Sequence, residues 1–169
     1  DSYLLLGPSR ASTFADSLDE AAGRWSHTAL AFPEERATYP ELASRANDLA
    51  CGLIALGVEA GEKVGVLISQ GVDYFALIFA IAKIGAISVP LNPRFKAKEL
   101  RHVISNSDMT ALVASDSLLE MPDVVSMLEE TLPSLASAGG IELHLAEAPL
   151  LRRIVLSGET SRDWVFNFA

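Results

Sequence analysis

Residues 82–95 read AKIGAISVPLNPRF. An apolar run ends at Gly85, a strand-like run from Ala86 to Leu91 follows without a loop, and Pro90 and Pro93 bracket Leu91 and Asn92. Glycine just past a helix can take the left-handed conformation that closes it, so Gly85 predicts an abrupt helix-to-strand return. The two prolines direct the chain out of the sheet edge. Upstream, Asp73 to Ile84 is apolar almost all round, which reads as a buried helix. Before it, Val64 to Ile68 is a near-continuous apolar run, the pattern of a strand covered on both faces. Strand, helix, strand in this order predicts a parallel pair joined by a right-handed crossover.

The same alternation continues downstream. A short helix is expected over 97–106 with Leu100, Val103 and Ile104 inward, a strand over 110–114, a helix over 118–135 and a last strand over 154–156. Pro122 and Pro133 limit the ends of the 118–135 helix, and Met121, Val124, Val125, Leu128 and Leu132 form its apolar face. Upstream, Phe14, Leu18, Ala21, Ala22 and Trp25 recur at helical spacing. Thr28 to Phe32 and a second extended piece ending near Tyr39 make a hairpin around Pro33–Arg36. Thr38-Tyr39-Pro40-Glu41 has capping-box spacing. It opens a helix whose inward face is Leu42, Ala46, Leu49, Ala50, Leu53 and Ile54, and Gly57 ends it. The fold class is therefore α/β, a mostly parallel sheet with helices on both faces and an antiparallel hairpin near the start, added as an edge. Ala136 to Gly140 reads as a surface loop.

Length and charge narrow the function. The 169 residues suit one domain, at roughly 150 residues per domain. Half are hydrophobic and the net charge is −9, from 13 basic and 22 acidic residues. That balance argues against nucleic acid, where a basic face supplies most of the affinity, and against an anionic membrane surface. The longest apolar run, Tyr74 to Ala82, is far short of the ~20 residues that span a bilayer. No secretory leader pattern is present in residues 1–20. The expectation is a soluble, cytoplasmic protein. The first methionine is Met109, so Asp1 is not expected to be a translation start. The single cysteine, Cys51, excludes an internal disulfide framework and reads as a small buried hydrophobe.

Several stretches invite a chemical reading. GVEAGEK, residues 57–63, resembles a phosphate loop in outline, but its spacing is wrong and it follows a helix and precedes a strand, the reverse of what phosphate binding needs. LSGETSRDW, residues 156–164, runs a strand into Ser157, Gly158, Thr160 and Ser161, whose amides and hydroxyls could cradle phosphate. Glu159 puts a negative charge in its middle and no lysine follows, so a plain strand-to-loop connection is the preferred reading. His27, His102 and His144 lack any paired metal-ligand spacing. Arg94, Lys96, Lys98 and Arg101 form a basic cluster that reads as a solvated helix face, with a phosphate-bearing ligand as the minority reading. No serine sits in a nucleophile elbow. No catalytic, cofactor-binding or metal-binding residue is assigned.

Residues 37–115 carry a resemblance. TYPEL (38–42), KIGAISVPLNP (83–93) and, further on, PLLRRIVLSGE (149–159) resemble, in order and spacing, elements of the amino-terminal region of the AMP-forming acyl-CoA synthetases. These belong to the adenylate-forming enzymes, together with luciferases and peptide-synthetase adenylation domains. Asn92 followed by Pro93-Arg94 is more similar to the CoA ligases, because adenylation domains tend to carry aspartate there.

The resemblance implies that residues 1–169 are the amino-terminal segment of a larger domain. The intact enzyme would join a carboxylic acid substrate, fatty or aryl, to ATP as an acyl-adenylate and transfer the acyl group to CoA, with magnesium assisting. The family's Ser/Thr/Gly-rich loop, its ATP-binding aromatic-Thr-Glu motif, its ribose-binding aspartate and its mobile lysine find no match here and are expected beyond Ala169. The chain alone is then expected to be inactive and to self-associate through exposed apolar surface, with Tyr74 to Ile84 the segment in question. The alternative is a stand-alone, non-catalytic α/β domain that binds a partner or small ligand.

Overall fold

The computed structural model describes residues 10–116, 118–158, 160 and 162–168. The chain divides into two compact units.

The first unit comprises residues up to Ala55 together with Gln70–Gly85. It holds helix α1 (Phe14–Arg24), strands β1 (Thr28–Ala31) and β2 (Arg36–Thr38), and helix α2 (Tyr39–Ala55). The 70–85 piece adds the unit's third helix, Val72–Lys83. The sequence sets both helix starts. Thr13 Oγ1 accepts from Asp16 N at 3.1 Å while Asp16 Oδ2 accepts from Thr13 N at 3.0 Å, a complete capping box. Hydrogen bonds from the Ser12 and Thr13 hydroxyls lead in holding the Asp16 carboxyl below its usual range. For α2, Glu41 Oε2 accepts from Thr38 N at 2.8 Å, and Pro40 sits harmlessly in the first turn.

The β1–β2 hairpin is its own two-stranded antiparallel sheet and not an edge of the larger one. That corrects the expected attachment. The unit's core is built from small residues, Leu18, Ala37, Leu42, Ala43, Ala46, Val72 and Ala76, with Phe32, Phe75 and Phe79 packed around it. Ile54 and Cys51, both expected inward, face solvent instead, Ile54 at 60% exposure.

The second unit, Leu56–Ser69 with Ala86–Ala169, contains strand β3 (Lys63–Leu67). Numbered in chain order, the Val72–Lys83 helix of the first unit is α3. Strand β4 (Ile87–Pro90), helix α4 (Ala97–Ser107), strand β5 (Met109–Ser115), helix α5 (Val124–Thr131), and strands β6 (Arg153–Ser157) and β7 (Val165–Phe168) complete the second unit. The five strands form one parallel sheet in the order β4-β3-β5-β6-β7. Strand β7 has no counterpart in the expectation from sequence. Only four residues long, it offers little periodicity to read.

The core of this unit is large and aliphatic. Leu67, Leu100, Ile104, Leu112, Leu128, Leu135, Leu151 and Ile154 are all almost inaccessible. Gly65 is the position where strand and core meet most closely. A Cβ there would lie 2.7 Å from Met109 Sδ and 2.9 Å from a Leu112 methyl. The helix expected over 118–135 begins only at Val124. Leu118 and Met121 pair across a tight turn (Leu118 N to Met121 O 3.0 Å), Pro122 follows, and Asp123 caps α5 by accepting from Ser126 N at 2.8 Å. Past Leu132, a 3₁₀ turn over Pro133–Ser137 replaces the last helical stretch, because proline cannot continue the ladder.

Candidate functional site

In parallel α/β sheets, ligands bind beyond the carboxyl ends of the strands, so the strand exits of the second unit are where a site would be assembled. At the exit of β4, Leu91 N donates to Val66 O at 2.9 Å. Asn92 then forms an Asx turn, its Oδ1 accepting from Arg94 N at 3.0 Å, and Phe95 N closes the loop on Asn92 O at 3.0 Å. This is the physical content of the LNPRF stretch: a short, fixed turn that delivers Arg94 and Lys96 to solvent.

At the exits of β5 and β6, Asp116 N donates to Ser157 O at 3.0 Å and Thr160 Oγ1 donates to Asp116 Oδ2 at 3.1 Å. Ser157 and Ser115 hydroxyls face each other at 3.4 Å. Gly158 has φ +139 and lies against the Asp116 carboxylate, where any Cβ would collide with it. Glycine is required here by both conformation and space. A carboxylate resting on Gly158 and taking the Thr160 hydroxyl puts negative charge at the point where a phosphate would sit, so this exit is unsuited to a phosphate cradle. Glu159 and Ser161 of the same stretch lie outside the described residues. Asp116 carries this arrangement, and no signal in the sequence singled it out, since its hydrogen-bond partners Ser157 and Thr160 lie 41 and 44 residues away.

The amino edge of the sheet is a structural hub. Glu62 accepts from Arg152 at 2.6 Å, its amide neighbour Glu59 N donates to it at 3.0 Å, and its carbonyl receives Ile87 N at 2.8 Å. Burial acts to raise the Glu62 carboxyl, but the Glu59 amide, the Arg152 guanidinium and the Thr110 hydroxyl outweigh it and hold it below its usual range. GVEAGEK thus forms a closed turn with Gly57 and Gly61 at φ +78 and +83, at the wrong end of β3 for phosphate.

The other candidates separate. Arg101 donates to the Thr131 and Glu130 carbonyls at 2.7 and 2.9 Å, satisfying the end of α5, and so leaves the basic cluster. Arg94, Lys96 and Lys98 remain exposed. His27 packs edge-on against Tyr39, while His102 and His144 are exposed on the other unit. Among the described residues no group of three or more His, Cys, Asp and Glu could hold a metal ion. A concavity of about 570 Å³ in the first unit is lined by Arg10, Asp16, Asp19, Glu20 and Arg24. Its charged residues are largely engaged: Glu20 accepts from the Arg10 and Ala11 amides and pairs with Arg24, and Asp19 pairs with Lys83. No chemical step is assigned to these residues.

The apolar residues of α3 are buried or half-buried, and none is among the exposed large hydrophobics. Self-association through Tyr74 to Ile84 thus finds no support. No helix among the described residues is long and apolar enough to cross a membrane.

Three comparisons place the chain. Phosphinothricin tripeptide synthetase PhsC of Streptomyces viridochromogenes is 38% identical over 112 residues, 66% of this chain and 10% of that protein. A 3-oxocholest-4-en-26-oate–CoA ligase of Rhodococcus rhodochrous is 34% identical over 131 residues, 71% of this chain and 24% of the ligase. In structure, an anthranilate CoA ligase, AuaEII, solved with anthranoyl-AMP, superposes with a TM-score of 0.72 at 24% identity, over 92% of this chain and 27% of that one. The chain spans about a quarter or less of the curated relatives named. The family model for AMP-binding enzymes matches residues 18–163, and with the parallel sheet, the hairpin and the ordered motifs this shows that the chain belongs to the AMP-binding enzyme family.

Proposed function

We propose that residues 1–169 are the amino-terminal segment of the large domain of an acyl-CoA synthetase. The intact enzyme activates a fatty or aryl carboxylic acid with ATP and magnesium, releases pyrophosphate, and passes the acyl group from the adenylate to CoA, in the cytoplasm, where ATP and CoA are available. Family membership supports the adenylation step. The feature that supports the CoA step is the residue at the β4 exit: Asn92 stands before Pro93-Arg94, where adenylation domains tend to carry aspartate. The CoA ligase from Rhodococcus rhodochrous, matched over 71% of the chain, agrees with it. The phosphate loop, acid and lysine of the reaction are then carried by the rest of the enzyme.

A second reading is favoured by the 38% identity to a peptide synthetase: an adenylation domain that hands an aminoacyl group to a carrier thiol. ATP–pyrophosphate exchange by a longer polypeptide containing this chain, with fatty, aryl and amino acids, decides between them. Exchange driven by a fatty or aryl acid, followed by thioester formation on free CoA, is expected. Exchange driven only by an amino acid would overturn the CoA reading, and no exchange at all would favour a non-catalytic binding domain. The 169-residue chain alone is expected to show no acid-dependent exchange.

A further inference from the structure

Strand β4 is the outermost strand on one side of the parallel sheet, with β3 as its neighbour. The free side of such a strand is a template on which another strand can pair. In a parallel ladder one residue turns its N–H and C=O to one side, and the next residue turns them to the other. Ile87 N donates to Glu62 O at 2.8 Å and Leu91 N donates to Val66 O at 2.9 Å. Residues 87, 89 and 91 therefore face β3 with their backbone, and Ser88 and Pro90 face outward.

Only Ser88 then has a hydrogen to offer on the free side. Proline has no N–H, and a ring carbon stands where that hydrogen would point. Pro90 is exposed and lies opposite Val66, within the strand register and short of the turn beyond it. At position 89 or 91 a proline would take a donor from the bonds to β3. At 90 it removes one from the free side alone, and the strand still closes on β3 through Leu91. The strand carries no other deterrent to pairing. Ile87–Pro90 contains no charged residue, and Ile87 is 50% exposed, which adds apolar area to any contact made here.

We infer that Pro90 keeps the free side of β4 from pairing with the same strand of a second copy of this chain. The outward pattern is self-complementary. Two copies related by a two-fold axis would run antiparallel, with Ser88 of each opposite position 90 of the other. Each such pair exchanges two hydrogen bonds when both residues have an N–H. Pro90 removes one bond from each pair, half of the total, and sets its ring against the carbonyl that would have accepted. The second copy is thus refused by one residue that leaves the bonds between β4 and β3 intact.

The test is sedimentation velocity of the 169-residue chain over a range of micromolar concentrations, with Pro90→Val, Pro90→Thr and Pro93→Val beside it. Both Pro90 variants should associate at least about tenfold more tightly than the wild type, since the pair regains a hydrogen bond from each copy. Their melting temperatures at low concentration should fall only slightly, because no bond to β3 changes and the unfolded chain gains a little freedom. Pro93→Val, which removes a proline from the turn beyond the strand, should behave like the wild type. Amide exchange locates the contact: in the Pro90 variants the amides at positions 88 and 90 should slow as concentration rises. Association equal to wild type in both Pro90 variants would overturn the inference. So would an equal gain in Pro93→Val, or slowed exchange elsewhere with none at positions 88 and 90.

Discussion

The two units are held by different physics. The second unit is a parallel sheet buried in leucine, isoleucine and valine, so tightly that Gly65 leaves no room for a Cβ beneath Met109 and Leu112. The first has a core made mostly of alanine and is tied at its periphery by polar contacts. Lys83 reaches Asp19 at 2.5 Å, Glu35 accepts from Val72 N at 2.7 Å to cap α3, and Arg45 meets Asp73 at 2.8 Å. Alanine allows helices to approach closely but removes little apolar area from water, so the smaller unit depends more on directional bonds. Substitution costs should therefore be steric and large in the sheet, and modest and electrostatic among the helices.

Gly65→Val should show the largest effect, up to about 3 kcal/mol, because an overpacked strand must displace both Met109 and Leu112. Chemical denaturation of the second unit measures it, and a midpoint near wild type would remove the contrast. Gly85→Val should cost about 2 kcal/mol for a different reason. Gly85 has φ +74, where a β-branched residue is strained whatever the space around it. If it proves costlier than Gly65→Val, backbone strain and not core density sets the ranking.

Glu35→Ala should cost about 1 kcal/mol, the usual worth of an N-cap acceptor, since Gly71 offers α3 no side chain of its own. Hydrogen exchange should show faster opening in the first turn of α3 than at its end. Arg45→Ala should change thermal stability by less than about 0.5 kcal/mol, as both partners of that pair are more than half exposed. A larger loss would mean that even the exposed polar ties of this unit contribute appreciably.

What could be read from sequence was what neighbouring residues decide. Thr38–Glu41 closes a capping box over three residues, and Gly57 and Gly85 take positive φ where helices must end. Val64–Ile68 and Ala86–Leu91 fall within two residues of the strands formed. A short-range hydrogen bond or a backbone angle depends on little beyond its own few residues. Met121 shows the limit. Its burial was legible from apolar spacing, yet it belongs to a tight turn with Leu118, because a single pairing outweighs periodicity just before Pro122.

Local sequence was enough for the α/β alternation, the cap of α2 and the ordered motifs of the AMP-binding enzyme family. Long-range packing made the hairpin a separate sheet, turned Cys51 and Ile54 to solvent, brought Glu35 to cap a helix 37 residues away and laid Asp116 on Gly158. It also separated Arg101, bonded to the end of α5, from Arg94, Lys96 and Lys98, which stay exposed. Each of these depends on which distant segments meet. Strand order and long-range bonds are settled by competition among alternative burials of the whole chain, and local propensity carries no record of that competition.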